Sequence, residues 1–376
     1  MLTDVADLFG LDPDTAHLNH GAFGTVPRAV RDAQRRWQDE AERNPHHFHR
    51  VRLPALMATA RERAAAFVGV PPDEAALVHN ISEAVSTVLA SLDLVEGDEV
   101  VVCSHGYGAV RLAVEHWVER RGAVLVEAAF DVGADDTTVV AAYADATSPR
   151  TRLVVVDAIT SPTATVLPVA GVVAAVDAPV LVDAAHVPGS APVDVRASGA
   201  TYWAGNLHKW AHTSRGTAVL WTSPSAPPVH PLVLSWNLAG PRGAWFDHPG
   251  TGDYSGWLAV GDGLDVWESL GGWTKVDAMT AVASDAQALL ADAWGTSLDG
   301  LPVVPAPTMR LVRPPAGVLT GPEDVDRVYR ALSDDHGVEV APQWFGGEPY
   351  VRVAAGPYTD LDDVRRLADA LPACRA

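Results

Sequence analysis

Four short segments of this chain carry residue types that could do chemistry together. The first, Asn80-Ile81-Ser82-Glu83-Ala84, closes an apolar run and opens a helical stretch. Free N–H groups and the helix dipole make such a start an anion site, and Ser82 adds a hydroxyl donor. The second, Gly106-Tyr107-Gly108, sets an aromatic ring between two glycines after the run EVVVCSH. The third, Asp183-Ala184-Ala185-His186, puts a carboxylate at the end of PVLV. The fourth, Asn206-Leu207-His208-Lys209-Trp210, follows the short run TYWAG and places Lys209 26 residues past Asp183. Lysine is rare here: the chain has only Lys209 and Lys275, against 25 arginines. A guanidinium cannot form a Schiff base and is never deprotonated, so a lysine kept against that bias marks amine chemistry. Lys275 sits in GGWTKVD, which reads as a polar turn, and is attributed to composition alone.

Each segment alone has an ordinary structural explanation: an N-cap, a surface turn, a helix cap at a strand end. In this order they supply an anion cradle, an aromatic to stack on a ring, an acid for a ring nitrogen and an amine for an aldehyde. That set is what pyridoxal 5′-phosphate requires of a protein.

Seven motifs carry a family resemblance: LNHGAFG (18–24), HNISEA (79–84), SHGYGAVR (104–111), ITSPTATVLPV (159–169), DAAHVPG (183–189), GNLHKW (205–210) and PGTGDYS (249–255). Over most of its length the chain resembles fold-type I pyridoxal-phosphate enzymes of the class V aminotransferase superfamily. It is most similar to the isopenicillin N epimerase-like branch, with its related C–S lyases. The resemblance implies that Lys209 holds the cofactor as a Schiff base and later moves the Cα proton. It implies that Asp183 pairs with the ring nitrogen, that His186 lies near the phenolic oxygen and that Tyr107 stacks on the ring. Ile81, Ser82, His208 and Asn206 are implied phosphate contacts, and Ser161 a further cofactor contact. Thr251 is implied to reach the phosphate of a neighbouring subunit, which makes the expected unit a homodimer with shared active sites. Arg352, in YVRVAAG, matches an arginine that forks onto a substrate α-carboxylate, and that bidentate geometry is arginine chemistry. Asn19 and His20 fall in the loop implied to cover the substrate. One departure stands out: Gly252 occupies a place where relatives often carry arginine. The substrate therefore cannot be copied from the best-known member.

The elements that must position these residues are legible in outline. Residues 26–45 read as an amphipathic helix and 53–68 as a second. From about 75 to 222, ALVHN, EVVVCSH, AVLVEAAF, RLVVVDAI, PVLVDAAH and TAVLWTS alternate with helical stretches. Continuous apolar runs suit strands buried on both faces, so the expected fold class is α/β, with a mainly parallel sheet and helices on both faces. Ligands in such sheets sit outside the carboxyl ends of the strands, where the four segments fall. A small α+β C-terminal domain follows: a helix over 273–294, strands near 307–313, 337–341 and 349–354, and helices over 322–335 and 359–371, with Thr359 as N-cap. The expected organisation is 1–25 as an N-terminal segment near the active site, 26–265 as the large cofactor-binding domain and 266–376 as linking helix and small domain.

Composition bounds the partners. With 27 basic against 47 acidic residues the net charge is −20, which disfavours nucleic acid and anionic membrane surfaces. No long uncharged apolar stretch suggests a membrane span, and MLTDVADLFG lacks the features of a signal peptide, so a cytoplasmic location is the default. His46, His47 and His49 are adjacent histidines without paired carboxylates, and no metal is expected. Cys374 lies two residues from the end and Cys103 closes an apolar strand, so neither suits the mobile nucleophile of a cysteine desulfurase. The expected substrate is a small-molecule amino acid. C–S cleavage of a cysteine S-conjugate in secondary metabolism is favoured over epimerisation with Tyr107 or His20 as the second-face acid. Decarboxylating oxidation and transamination are further outcomes of the same chemistry. A non-enzymatic scaffold would not need both Lys209 and Asp183.

Overall fold

The computed structural model describes residues 5–375, so positions 1–4 and 376 of the expected segments lie outside the described residues. In chain order the strands are β1 (Ala16–His17), β2 (Ala75–Val78), β3 (Glu99–Cys103), β4 (Val124–Ala128), β5 (Thr151–Asp157), β6 (Val180–Asp183), β7 (Tyr202–Asn206), β8 (Ala218–Thr222), β9 (Met309–Val312), β10 (Val338–Glu339), β11 (Ala341–Phe345) and β12 (Glu348–Ala354). Seven form one sheet in the order β2-β8-β7-β6-β5-β3-β4. β8 is antiparallel to both its neighbours, and the other pairs are parallel.

The apolar runs are continuous because both faces of the sheet are covered. Val101 and Cys103 of β3 join one core, and Val100 and Val102 join the other. In β5, Val154 and Val156 divide from Leu153 and Val155 in the same way. The parallel strands end on one side, and the strand ends and helix starts there gather Asn80, Tyr107, Asp183 and Lys209.

Helix Trp273–Trp294 leads to a three-stranded antiparallel sheet in the order β11-β12-β9. β1 pairs in parallel with β10, and Asn19 bridges to Ala354, so the N-terminal segment is stitched to this smaller sheet. The last helix, Leu361–Ala370, is capped by Asp360 and not by Thr359. The Asp360 carboxylate accepts from the N–H groups of Asp362 and Asp363 at 2.9 and 3.0 Å, which suits a negative charge at a helix start. Thr359 Oγ1 instead accepts from the Gly356 N–H at 2.9 Å. Among the described residues no helix is long and apolar enough to cross a membrane.

Lys275 is the clearest correction. It is not in a polar turn but 4% exposed, in the first turn of the helix Trp273–Trp294. Gly271 and Gly272 take positive φ angles of 105° and 53° and turn the chain so that Lys275 enters the protein. Its Nζ lies 2.8 Å from His212 Nε2 and 5.7 Å from the Trp267 ring centroid. Burial pushes its amine down to about 7. Between that value and the unfolded value of about 10.4, only the unfolded chain holds the proton, so the lysine's contribution to stability rises with pH across the window. Lys275→Met removes this titration. Its unfolding free energy in urea, relative to the wild type, should fall with rising pH above neutrality by up to about 1.4 kcal/mol per unit. A pH-independent difference would show that the folded chain keeps the amine charged.

Candidate active site

A cavity of about 820 Å³ lies at the carboxyl ends of the parallel strands. Asn19, His20, Ile81, Ser82, Tyr107, Ser161, Asp183, His186, Asn206, His208, Lys209 and Arg352 line it, so all but one of the residues singled out in the sequence converge. Thr251 is exposed and is absent from the wall formed by its own chain.

Lys209 projects from a single helical turn, Leu207–Trp210, directly after β7. Its Nζ lies 3.2 Å from His186 Nε2. The other nitrogen, His186 Nδ1, accepts from the Trp210 indole N–H at 3.4 Å. The His186 hydrogen therefore sits on Nε2 and is donated to Lys209, which requires a neutral amine. Burial and, second, the Arg352 guanidinium push Lys209 down from the usual lysine range, with Asp183 opposing. Burial also keeps His186 neutral by pushing it far below the usual histidine range.

Asp183 closes β6 and is 3% exposed. One carboxylate oxygen accepts from the Ala185 N–H at 2.9 Å, while Oδ2 is buried without a partner. Burial pushes the carboxyl up, against the pull of the Ala185 N–H and Lys209. A buried acceptor without a donor fits a protonated ring nitrogen presented from the cavity.

At the anion end, Asn80 caps the helix Ile81–Ala90 by accepting from the Glu83 N–H at 3.0 Å. Asn206 Oδ1 accepts from the Ile81 N–H at 3.2 Å and ties the end of β7 to that helix. Ser82 and the free side of His208 face the same end; His208 Nδ1 is spent on the Thr217 carbonyl at 3.0 Å. Tyr107 is 48% exposed at the mouth, where its ring is free to cover a bound plane.

Arg352, 4% exposed on β12, reaches the cavity from the smaller sheet. It donates to the Ser161 carbonyl, to Ser161 Oγ at 3.2 Å and to Asn19 Oδ1 at 2.9 Å. Ser161 sits on a tight turn tied by Thr160, Thr163 and Thr165. Ser161 and Asn19, singled out as cofactor and substrate contacts, here serve as props of the guanidinium. Burial lowers Arg352 to about 10, so it stays a cation at neutral pH.

His20 has both ring nitrogens engaged by the protein. Nε2 meets the Lys209 carbonyl at 2.8 Å and Nδ1 meets the Tyr358 hydroxyl at 2.8 Å. Burial drives its pKa to about 3. It braces the lysine turn and has no nitrogen left for a substrate. Gly24 lets this segment close in: with φ of 65°, a Cβ there would stand 2.1 Å from the His208 carbonyl oxygen.

Among the wall residues that the sequence reading did not single out are Asp157 and Tyr358. Asp157 ends the apolar run RLVVVD as Asp183 ends PVLVD, so the same strand-end signal marks both. Nothing local marks Tyr358. Neither cysteine lines the cavity, and both are buried. Among the described residues no three His, Cys, Asp or Glu side chains group as a metal site.

Residues 22–236 match the family model of class-V aminotransferases. The chain is 28% identical to the isopenicillin N epimerase of Streptomyces clavuligerus, over 96% of each protein. It is 28% identical to an L-cysteine desulfhydrase of Arabidopsis thaliana, over 95% of this chain and 87% of the relative. Its fold matches that of a lysine-to-alanine mutant of C-DES with glycine covalently linked to the PLP cofactor. That match has a TM-score of 0.79 and 18% identity, covering 97% of this chain and 98% of the other. These features define a fold-type I enzyme dependent on pyridoxal 5′-phosphate. The chain belongs to the class-V aminotransferase family and acts on amino acids.

The brace on Lys209 is testable. His20→Ala leaves the Lys209 carbonyl without its partner and the Tyr358 hydroxyl with Thr25 Oγ1 alone, which should cost about 1–3 kcal/mol of stability by urea unfolding. An unchanged unfolding midpoint would show that the brace carries nothing.

Proposed function

We propose that the enzyme is a C–S lyase that removes a sulfur group from Cβ of a cysteine S-conjugate, in a sulfur-containing secondary-metabolite pathway. The observation that carries this reading is the engagement of His20. Epimerisation needs an acid on the face of Cα opposite the lysine. Of the two residues suited to that role, His20 has both nitrogens bound, and Tyr107, half-exposed at the mouth, is assigned to stacking on the ring. That leaves one proton-moving group at Cα, Lys209, which suffices for elimination. A relative named as an L-cysteine desulfhydrase supports the same direction.

When bound, pyridoxal 5′-phosphate supplies an electron sink for the pair left at Cα. Lys209, held neutral by burial and by the His186 N–H, is the amine that binds it and then accepts the Cα proton. Asp183 Oδ2, buried without a donor, would accept from the ring nitrogen and keep it protonated. The first turn of the helix Ile81–Ala90, with Ser82 and His208, takes the phosphate. Arg352, propped by Ser161 and Asn19, forks onto the substrate carboxylate and sets which Cα bond faces Lys209.

Mass balance tests the reaction. A cysteine S-conjugate incubated in D₂O should yield ammonia, a keto acid and a sulfur fragment in equal amounts. Return of all the amino acid with deuterium at Cα and inverted configuration would make the enzyme an epimerase. Arg352→Ala should raise KM by about tenfold or more, as expected for a lost charged hydrogen bond. Borohydride reduction should leave the pyridoxyl mass on Lys209, and a label on Lys275 would overturn the assignment of the amine.

The unit that does this is a homodimer with shared sites. Thr251 is exposed and off its own cavity, which leaves it free to meet another chain's cofactor. The stretch of chain that precedes it exposes apolar surface: Leu232, Val233, Leu234 and Trp236, the last 88% exposed. Isolated monomers rarely leave such a run uncovered. Mixing inactive Lys209→Ala with inactive Thr251→Ala protomers should restore part of the activity through one intact hybrid site. A monomer by light scattering under active conditions would sink this assignment.

A further inference from the structure

A second carboxyl stands beside Asp183, and the chemistry above does not use it. Asp157 is the last residue of β5, and its register partner across the β5–β6 ladder is Asp183. Register partners on neighbouring strands, about 4.8 Å apart, project to the same face. Both aspartates are 3% exposed and both line the cavity. Asp157 also lies under the aromatic turn. A Cβ placed on Gly106 would stand 3.5 Å from Asp157 Oδ2, so the carboxyl lies against the backbone that leads into Tyr107.

Two adjacent buried carboxyls cannot both ionise. Asp183 has a compensating group, the Ala185 N–H, which donates to it at 2.9 Å. Burial and, second, the charge of Asp183 push Asp157 far above the usual carboxylate range. Its other titratable neighbours, Cys103 at the end of β3 and Tyr143 on the helix Asp136–Ala146, are both held neutral by burial and offer it no positive charge.

We propose that Asp157 is a protonated positioning acid of the cofactor site, which accepts the Tyr107 backbone N–H and leaves the single negative charge of the aspartate pair on Asp183. The inference rests on the proposed reading of Asp183 and Tyr107 as cofactor contacts. It has an asymmetric consequence. A neutral amide reproduces everything Asp157 does and nothing that Asp183 does, although the two aspartates occupy matching positions on adjacent strands.

The test uses Asp157→Asn, Asp157→Ala and Asp183→Asn beside the wild type. Each apoprotein is titrated with pyridoxal 5′-phosphate by fluorescence, and each loaded protein's visible band is followed against pH, with circular dichroism as the fold check. Asp157→Asn should bind the cofactor within about threefold of the wild type and keep the pH midpoint of the band. Asp157→Ala, which removes the acceptor for the Tyr107 N–H, should weaken binding about tenfold. If Asp157→Ala fails the fold check, Asp157→Leu takes its place, filling the volume without an acceptor. Loss of affinity beyond about tenfold in Asp157→Asn, or a midpoint shift of about one unit, would show that the charge sits on Asp157 and overturn the proposal. Wild-type behaviour of both Asp157→Ala and Asp157→Leu would overturn it as well. Asp183→Asn separates the two levels. If it too behaves as wild type, the pairing of Asp183 with the ring fails and this inference falls with it. If it is impaired and Asp157→Asn is equally impaired, only the inference falls.

Discussion

An amine that must react with an aldehyde has to be neutral, and a lysine in water at neutral pH is not. The fold meets that constraint by burial. Lys209 stands in a single helical turn between β7 and β8, walled by His186 and Trp210 and facing the cation of Arg352. Much of the surrounding structure follows from holding that turn still. Trp210 fixes the ring of His186, and His20 holds the carbonyl of Lys209 itself. Gly189 lets the backbone of the preceding strand connection, between β6 and β7, approach until a Cβ there would stand 2.5 Å from the Trp210 carbonyl carbon.

The charges in the cavity are arranged so that ligands can complete them. Arg352 is buried, yet its protein partners are neutral acceptors on Ser161 and Asn19, not a carboxylate. A buried guanidinium paired with an acid would already be satisfied, and an incoming carboxylate would gain little from it. Held by neutral groups, its charge remains for the substrate. Asp183 is the mirror case: one oxygen is satisfied by a backbone N–H and the other is left without a donor. Each group is anchored by part of its hydrogen-bonding capacity and kept incomplete in the rest.

The strand-end residues were legible because the logic that makes them functional is local. A parallel strand buried on both faces reads as an apolar run, and the polar residue that ends it faces the ligand side. Lys209, Asp183, His186 and Tyr107 are found that way, and Asp157 obeys the same rule. What could not be read is long-range pairing. Arg352 meets Ser161 across 191 positions and Asn19 across 333, and His20 meets Tyr358 across 338. No periodicity links such pairs. Lys275 misleads for the opposite reason. Gly271-Gly272 is a good local sign of a turn, but the turn directs the lysine inward, and its direction is set by the packing of Trp267 and His212.

The segment 16–25 joins the two halves of the chemistry. Its first residues are tied to the smaller sheet and its surroundings: β1 pairs with β10 in a separate two-stranded sheet, and the Leu18 carbonyl accepts from the Ala354 N–H two residues beyond Arg352. Its next residues change sides. Asn19 holds the guanidinium of Arg352, and His20, one position later, holds the carbonyl of Lys209. A peptide cannot stretch, so two neighbouring residues bound to the two groups hold the arginine and the lysine in one relative position. A shift of the smaller sheet that carried Arg352 away would have to break the bond to Asn19 or drag His20 off the lysine turn. Gly24 makes this possible, since any side chain there would hold the segment away from His208 and Lys209. The distance between the group that reads a carboxylate and the group that takes a proton is thus set by a short piece of chain that belongs to neither sheet's core.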